Sequence, residues 1–149
     1  MRQEPEVTVL IIDENPGVSH MLARGLRRAP GIRVVGETSN VLLGAELAHQ
    51  LEPAIILADF RRAGPPRAET YRWLSRVSPA SRIVAHTSYV TNGEERVLRE
   101  AGVIACYLKG MSVQELSKRL IDVVPAIANA DQEIGIDEGS QAKEAQILP

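Results

Sequence analysis

The stretches VTVLIID at residues 7–13 and AIILAD at residues 54–59 decide the fold of this 149-residue chain. Each is an almost unbroken run of Val, Leu, Ile and Ala that ends in an aspartate. A strand with one face in solvent would instead alternate apolar and polar residues, so these runs are typical of parallel strands covered on both faces. Helices are therefore expected on both sides of one sheet.

Three further strands, at residues 32–38, 82–87 and 105–108, alternate with segments of helical periodicity. The predicted helices cover residues 16–28, 41–51, a stretch around residue 74 that ends near Pro79, residues 93–101, and a segment that begins after Ser112. Asn40 and Ser112 are the expected caps of the second and fifth helices. This alternation predicts a doubly wound α/β fold of three layers, flavodoxin-like, with strand order 2-1-3-4-5. Function in such sheets lies at the carboxyl ends of the strands where the order reverses.

The composition favours one folded domain and excludes several classes of function. Hydrophobic residues make up 44% of the chain and aromatic residues 3%, and the net charge is −2. With few aromatics and no basic field, direct nucleic-acid binding by this chain is not expected. The single cysteine, Cys106, excludes an internal disulfide. No secretion signal or membrane-spanning run is present, so a cytoplasmic protein without membrane contact is expected.

Beyond Pro125 the helical pattern fades. Residues 129–149 contain five acidic residues and one lysine, a charge of −4, which leaves +2 for residues 1–128. We therefore predict a folded domain over residues 1–128 and an acidic, disordered tail over residues 129–149. The tail has no capped, periodic helices, so an output domain is expected outside these 149 residues.

Polar residues that could take part in a reaction lie at the ends of four of the five predicted strands. Asp13 and Glu14 lie at the end of strand 1, Asp59 ends strand 3, Thr87 ends strand 4, and Lys109 follows strand 5. Three carboxylates at one edge would repel by about 3 kcal/mol per pair at an effective dielectric constant near 20, so a divalent cation is expected there. Oxygen ligands favour Mg²⁺, which phosphate oxygens can complete.

These groups together suit one reaction, in which the Asp59 carboxylate attacks a phosphorus atom. Lys109 and the Thr87 hydroxyl would stabilise the transferred oxygens, and Mg²⁺ would hold them. Taken singly, each residue has a simpler explanation: an acid that caps a helix, a lysine in a solvated loop, a threonine at a strand end. The positions of all of them at matching strand ends favour the functional interpretation.

Four segments resemble the receiver domain of bacterial two-component response regulators, and the resemblance covers residues 7–127. LIIDENP (10–16) is similar to that family's acidic-pair segment, IILADF (55–60) to its phosphoacceptor strand, RIVAHTS (82–88) to its Thr/Ser switch segment, and CYLKG (106–110) to its lysine segment. The segment IRVVGETSN (32–40) resembles the second strand of the subfamily whose members often carry a C-terminal helix-turn-helix.

The resemblance implies a role for each site residue. Asp59 would be phosphorylated by a sensor histidine kinase or a small phosphodonor, and Mg²⁺ would be held by Asp13, Glu14, Asp59 and the backbone carbonyl of Arg61. Phosphorylation would draw Thr87 inward and change the surface of helix 4, strand 5 and helix 5, where a homodimer or partner binding is expected. The domain would regulate transcription and would be no enzyme beyond its own phosphoryl transfer and dephosphorylation.

Some positions depart from the family's pattern. Cys106 replaces the usual aromatic switch residue, and Ala63 replaces a common proline in the loop after Asp59. These departures leave open a degenerate receiver, which binds a partner without being phosphorylated. The bulky Arg61 and Tyr89 are expected to slow the loss of phosphate by shielding it from water.

Two enzyme classes on similar folds are alternatives that the sequence disfavours. A metal-dependent phosphatase would need an acid at the position of Asn15, and a flavin-binding protein would need a phosphate cradle rich in Gly, Ser or Thr. His86 is predicted to pack in the core rather than to bind a metal. The following arginines are predicted to form a solvated face rather than a basic patch: 61, 62, 67, 72, 76 and 82.

Overall fold

A computed structural model describes residues 5–61 and 66–136, with side chains as far as residue 124. Strands and helices alternate in the order β1 (Val7–Asp13), α1 (Pro16–Arg27), β2 (Ile32–Thr38), α2 (Val41–Leu51), β3 (Ile55–Asp59), α3 (Ala68–Val77), β4 (Arg82–Thr87), α4 (Asn92–Glu100), β5 (Val103–Leu108) and α5 (Val113–Ile136). The five strands form one parallel sheet in the order β2-β1-β3-β4-β5. The predicted fold class and strand order are confirmed.

Each face of the sheet carries its own hydrophobic core. Leu10 and Ile12 of β1 pack with residues of α2, α3 and α4, whereas Val9 and Ile11 pack with residues of α1 and α5. All four side chains are fully buried. Because successive side chains of a strand point to opposite faces, an unbroken apolar run fills both cores at once.

The helices begin where the sequence provides caps. The Asn40 side chain accepts a hydrogen bond from the Leu43 N–H, and the Ser112 hydroxyl accepts one from the Glu115 N–H, as predicted for α2 and α5. α4 begins with a reciprocal pair of hydrogen bonds between Thr91 and Glu94. Such bonds satisfy backbone donors that have no partner inside the helix.

α2 approaches β1 closely at Gly44. A β-carbon at this position would lie 2.6 Å from Cδ1 of Ile12, which is closer than ordinary van der Waals contact. Only glycine therefore fits against Ile12 without movement of one of the two elements. The close approach lies at Ile12, one residue before the end of β1.

Two predicted boundaries differ from the structure by more than one residue. β5 begins at Val103 rather than at residue 105, because the pairing of β4 and β5 shifts register near Ile83 and includes Val103. α5 continues to Ile136, so residues 129–136 are helical where a disordered tail was predicted. Alanine has the highest helix propensity, and the three alanines at 126, 128 and 130 favour continuation of the helix despite Pro125. The rest of the predicted tail, residues 137–149, lies outside the described residues, so the division into a domain and a tail stays a prediction.

Candidate functional site

Two aspartates lie side by side at the carboxyl edge of the sheet. Asp13 and Asp59 are the last residues of β1 and β3 and are paired in the register of these strands. Asp13 is 3% exposed and Asp59 is 7% exposed. The structure therefore brings together the two acids that the sequence placed at the reversal of strand order.

Lys109 joins the two aspartates. Its Nζ atom lies 2.9 Å from Oδ2 of Asp13 and 2.8 Å from Oδ2 of Asp59. The backbone N–H of Lys109 donates to the carbonyl oxygen of Thr87 at 2.9 Å. This hydrogen bond fixes the backbone of Lys109 next to the end of β4. The lysine cation thus offsets the repulsion between the carboxylates that was expected to require a metal ion.

The charges in this cluster affect one another. Burial lowers the pKa of Lys109, but hydrogen bonds and charges from Asp59 and Asp13 outweigh burial and hold that pKa above its usual value. The amine therefore stays protonated at neutral pH. Burial raises the pKa of Asp59 above its usual value, and the hydrogen bond and charge of Lys109 offset only part of that rise. The ionised form of Asp59 is thus disfavoured in the folded protein.

One oxygen of Asp59 is left for a ligand. Oδ1 is buried and has no hydrogen-bond partner within residues 5–61 and 66–136. A buried polar atom without a partner is unusual and costs free energy, so it indicates a group that binds there. Carboxylate oxygens are the ligands that Mg²⁺ prefers, and the pair of Asp13 and Asp59 therefore fits such a cation.

Glu14, the third predicted acid, does not join this pair. Its Oε2 atom lies 2.5 Å from Nη2 of Arg67, the residue just before α3. Across the described ranges, no group of three or more His, Cys, Asp or Glu side chains is arranged to hold a metal ion. The structure therefore brings Asp13, Asp59 and Lys109 together but directs Glu14 towards Arg67.

Thr87 and Arg61 meet at one backbone carbonyl. The Thr87 hydroxyl donates to the Tyr89 carbonyl oxygen at 3.3 Å, and Nη2 of Arg61 donates to the same oxygen. Nη2 of Arg61 also lies 3.9 Å from Oε1 of Glu94 in the cap of α4. The Tyr89 side chain is 61% exposed, and the expected shielding of a phosphoryl group by Arg61 and Tyr89 stays a prediction.

Cys106 and Tyr107 lie on opposite faces of β5, as strand alternation predicts. Cys106 packs against the core shared with α4, whereas Tyr107 packs on the α5 side beneath the Arg119 guanidinium, whose carbon lies 5.8 Å from the ring centroid. Burial raises the pKa of the Cys106 thiol to about 11, so it is protonated at neutral pH. The substituted loop position Ala63 lies outside the described residues.

His86 is a buried residue next to the site. It is 4% exposed, and burial together with the charge of Lys109 lowers its pKa to about 4. The ring is therefore neutral at neutral pH. This location agrees with the predicted core position.

Sequence reasoning missed the contributions of two arginines. Arg72 pairs with the exposed Glu69 at 2.6 Å, as expected of a solvated helix face, but Arg61 and Arg67 contact residues at the strand ends. Both arginines flank the loop that follows Asp59. Their positions in the sequence indicate that they lie near the site. Which acid each would contact depends on the path of that loop, which the spacing of residues does not reveal.

The sequence is similar to those of several response regulators, although no protein-family model matches it. It is 38% identical over 120 residues to the nitrate/nitrite response regulator protein NarL of Escherichia coli K12, which is 79% of this chain and 54% of NarL. It is 31% identical over 111 residues to the transcriptional regulatory protein LiaR of Bacillus subtilis, which is 74% of this chain and 53% of LiaR. The chain thus spans about half the length of these relatives.

A third relative is named as an enzyme. The protein-glutamate methylesterase/protein-glutamine glutaminase 1 of Xanthomonas campestris is 31% identical over 134 residues, which is 90% of this chain and 35% of that protein. The shared region is therefore found in proteins with different named activities.

Solved structures of response regulators share the fold of this chain. The signal receiver domain of the putative response regulator NarL from Mycobacterium tuberculosis has a TM-score of 0.72 at 20% identity, over 82% of this chain and 98% of that one. A LuxR-family two-component response regulator from Aurantimonas has a TM-score of 0.71 at 23% identity, over 81% of this chain and 86% of that one. At these identities the comparison supports the fold.

The chain belongs to the receiver domains of two-component response regulators, since the homologues, the strand order and the buried aspartate pair with its lysine all agree. Its homologues within that family are regulators of the NarL and LiaR type. In the part of the chain that the structure describes, no helix has the length and apolar character needed to cross a membrane.

Proposed function

We propose that this receiver domain accepts a phosphoryl group on Asp59, in a Mg²⁺-dependent reaction, from a sensor histidine kinase or a small phosphodonor. The state of the Asp59 carboxylate carries the proposal. Its Oδ2 atom is held by Lys109 at 2.8 Å, while its buried Oδ1 atom has no hydrogen-bond partner among the described residues. One oxygen is thus fixed and the other is available for bonding to phosphorus.

The transfer forms one bond and breaks one. An oxygen of Asp59 attacks the phosphorus, and the bond from phosphorus to the donor's nitrogen or oxygen breaks, with its electron pair leaving on the donor. The protonated amine of Lys109 stabilises negative charge on the transferred oxygens. When bound, Mg²⁺ would neutralise charge on those oxygens. Asp13, Glu14, Asp59 and the Arg61 carbonyl are the proposed ligands.

Phosphorylation would then be transmitted through Thr87. Its hydroxyl, which donates to Tyr89 in the present structure, would turn to the phosphoryl oxygens. Moving a two-state equilibrium from 1:99 to 99:1 requires about 5.5 kcal/mol of differential stabilisation. Charge-assisted hydrogen bonds of about 1.5–3 kcal/mol each from Thr87 and Lys109, with metal contacts, would supply it.

The output of the switch is proposed from the relatives. LiaR is named as a transcriptional regulatory protein, which favours regulation of transcription. We propose that this chain acts in the cytoplasm, through a homodimer or partner that binds the surface of α4, β5 and α5. We propose that this domain itself contacts neither nucleic acid nor membrane, and that it catalyses only its own phosphoryl transfer and dephosphorylation.

Intact-mass analysis after incubation with acetyl phosphate and Mg²⁺ tests the proposal. We expect one phosphoryl group on the wild type and on the control variant Asp122→Asn, which alters a carboxylate of α5. We expect none on Asp59→Asn, and none on the wild type with excess chelator. Absence of an adduct on the wild type, from acetyl phosphate and from the cognate kinase alike, would favour the degenerate receiver instead.

A further inference from the structure

Arg67 links two parts of the site that are distant in sequence. Its Nη2 atom lies 2.5 Å from Oε2 of Glu14. Its Nε donates to the carbonyl oxygen of Phe60 at 3.3 Å, and its backbone N–H donates to that same oxygen at 3.1 Å. Arg67 therefore closes the loop after Asp59 and connects that loop to the acid that follows β1.

The contact occupies an acid that the proposed metal site requires. The Glu14 side chain is 12% exposed and that of Arg67 is 44% exposed, so the ion pair is only partly screened by solvent. A carboxylate oxygen bonded to a guanidinium is less available to a cation, because the two positive charges repel.

Each acid at this edge is thus held by a basic side chain. Lys109 contacts Asp13 and Asp59, and Arg67 contacts Glu14. Arg67 is bonded to Oε2 of Glu14, so a divalent cation bound by this carboxylate would either share it with Arg67 or displace Arg67 from Oε2. The basic partner of Glu14 is therefore positioned to influence how tightly a metal binds.

We propose that Arg67 is a positioning residue that competes with Mg²⁺ for the Glu14 carboxylate. This inference rests on the proposed function, which makes Glu14 a Mg²⁺ ligand. It predicts that Arg67 weakens Mg²⁺ binding.

Calorimetric titration of the full chain with MgCl₂ tests this inference. A partly exposed ion pair of this kind corresponds to about a fivefold change in an equilibrium constant, so Arg67→Gln is expected to lower the Mg²⁺ Kd about fivefold. The matched control Arg72→Gln, on α3 and paired with exposed Glu69, should leave Kd unchanged. In a Glu14→Gln background, Arg67→Gln should have no effect on Kd.

Two results of the titration would overturn the inference: a Kd that is unchanged or raised in Arg67→Gln, or an equal gain in the Glu14→Gln background. A chelator-treated sample provides a second readout. There, Arg67→Gln should lower the thermal midpoint more than Arg72→Gln. This excess should become smaller in the Glu14→Gln background, where Arg67→Gln removes only the bond of its side chain to the Phe60 carbonyl. Equal midpoints for the two variants would also contradict the inference.

Mg²⁺ titration and labelling of Asp59 together distinguish a failure of the inference on Arg67 from a failure of the proposed function. If the wild type binds Mg²⁺ and acetyl phosphate labels Asp59, but Arg67→Gln leaves Kd unchanged, the inference on Arg67 alone is wrong. If no variant binds Mg²⁺ and Asp59 is not labelled, both the inference and the proposed function are wrong.

Discussion

The two edges of the sheet bury polar groups in different ways. At the amino edge, the hydroxyl of Ser81 donates to the carbonyl of Pro53 at 2.6 Å, and the hydroxyl of Ser78 donates to the carbonyl of Ala48 at 3.2 Å. At the carboxyl edge, the buried groups include the carboxyl groups of Asp13 and Asp59, and Oδ1 of Asp59 has no hydrogen-bond partner among the described residues. Neutral groups with partners stabilise a fold, whereas ionised groups without full partners cost stability.

This difference indicates a division of roles between the edges. The amino edge joins α2 and α3 to the strands and contributes to stability. The carboxyl edge keeps an ionised pair and an open oxygen, features that chemistry at Asp59 would use. Removing a polar group should therefore lower the stability of the fold at the amino edge, whereas removing the Asp59 carboxylate at the carboxyl edge should raise it. Removing the Lys109 cation is the exception and should lower stability.

The largest expected effect is that of Lys109→Met. Removing the amine leaves two buried carboxylates without their shared cation, and breaking such a buried pair costs about 3 kcal/mol. Urea unfolding at pH 7 should show this loss. Lys118→Met, on the exposed side of α5, is the matched control and should change stability little. Equal stabilities for the two variants would show that Lys109 does not hold the carboxyl edge together.

His86 should make stability depend on pH. Because its pKa is about 4 in the folded protein and about 6.5 when unfolded, the unfolded state binds more protons between these values. The stabilising effect of the neutral ring is present above pH 6.5 and is lost as pH falls. Between pH 7.5 and pH 5 the wild type should lose about 2 kcal/mol more than His86→Gln. Parallel pH profiles in urea unfolding would contradict this assignment.

At the amino edge, Ser81→Ala should destabilise the fold. The substitution leaves the buried Pro53 carbonyl without its donor, which costs about 1.5 kcal/mol. Ser88→Ala, an exposed serine just beyond β4, serves as the control in the same unfolding measurement. A loss no greater than that of the control would mean that the amino edge has no special part in stability.

Asp59→Asn should have the smallest effect, and in the opposite direction. Since burial disfavours the ionised carboxyl more than Lys109 favours it, a neutral amide is expected to raise the free energy of unfolding at pH 7, by less than any of the losses predicted above. The control Asp122→Asn should leave unfolding unchanged. If Asp59→Asn instead lowers stability, then Asp59 supports the fold, and the contrast between the two edges is wrong.

Much of the fold could be predicted because its causes are local. The apolar runs that end at Asp13 and Asp59 determine parallel strands buried on both faces, and Asn40 and Ser112 cap helices as expected. The start of β5 could not be predicted, because it depends on a shift in strand register.

The candidate site could be predicted only in part. Asp13, Asp59 and Lys109 meet because parallel strands end at one edge, a consequence of topology alone. The contact of Glu14 with Arg67 joins residues 53 positions apart, and no periodicity encodes it. The extension of α5 to Ile136 differs from the tail predicted from acidic composition, since the alanines at 126, 128 and 130 favour a helix there.

Chemical identification of the modified residue tests the central claim most directly. Borohydride reduces an acyl phosphate to an alcohol, so a phosphorylated aspartate becomes homoserine, which peptide mass spectrometry locates. After treatment with acetyl phosphate and Mg²⁺, we predict homoserine at position 59 and at no other aspartate, and none in samples without the donor. Homoserine at Asp13, or at no position while the donor is in excess, would contradict the assignment of Asp59 as the phosphoacceptor.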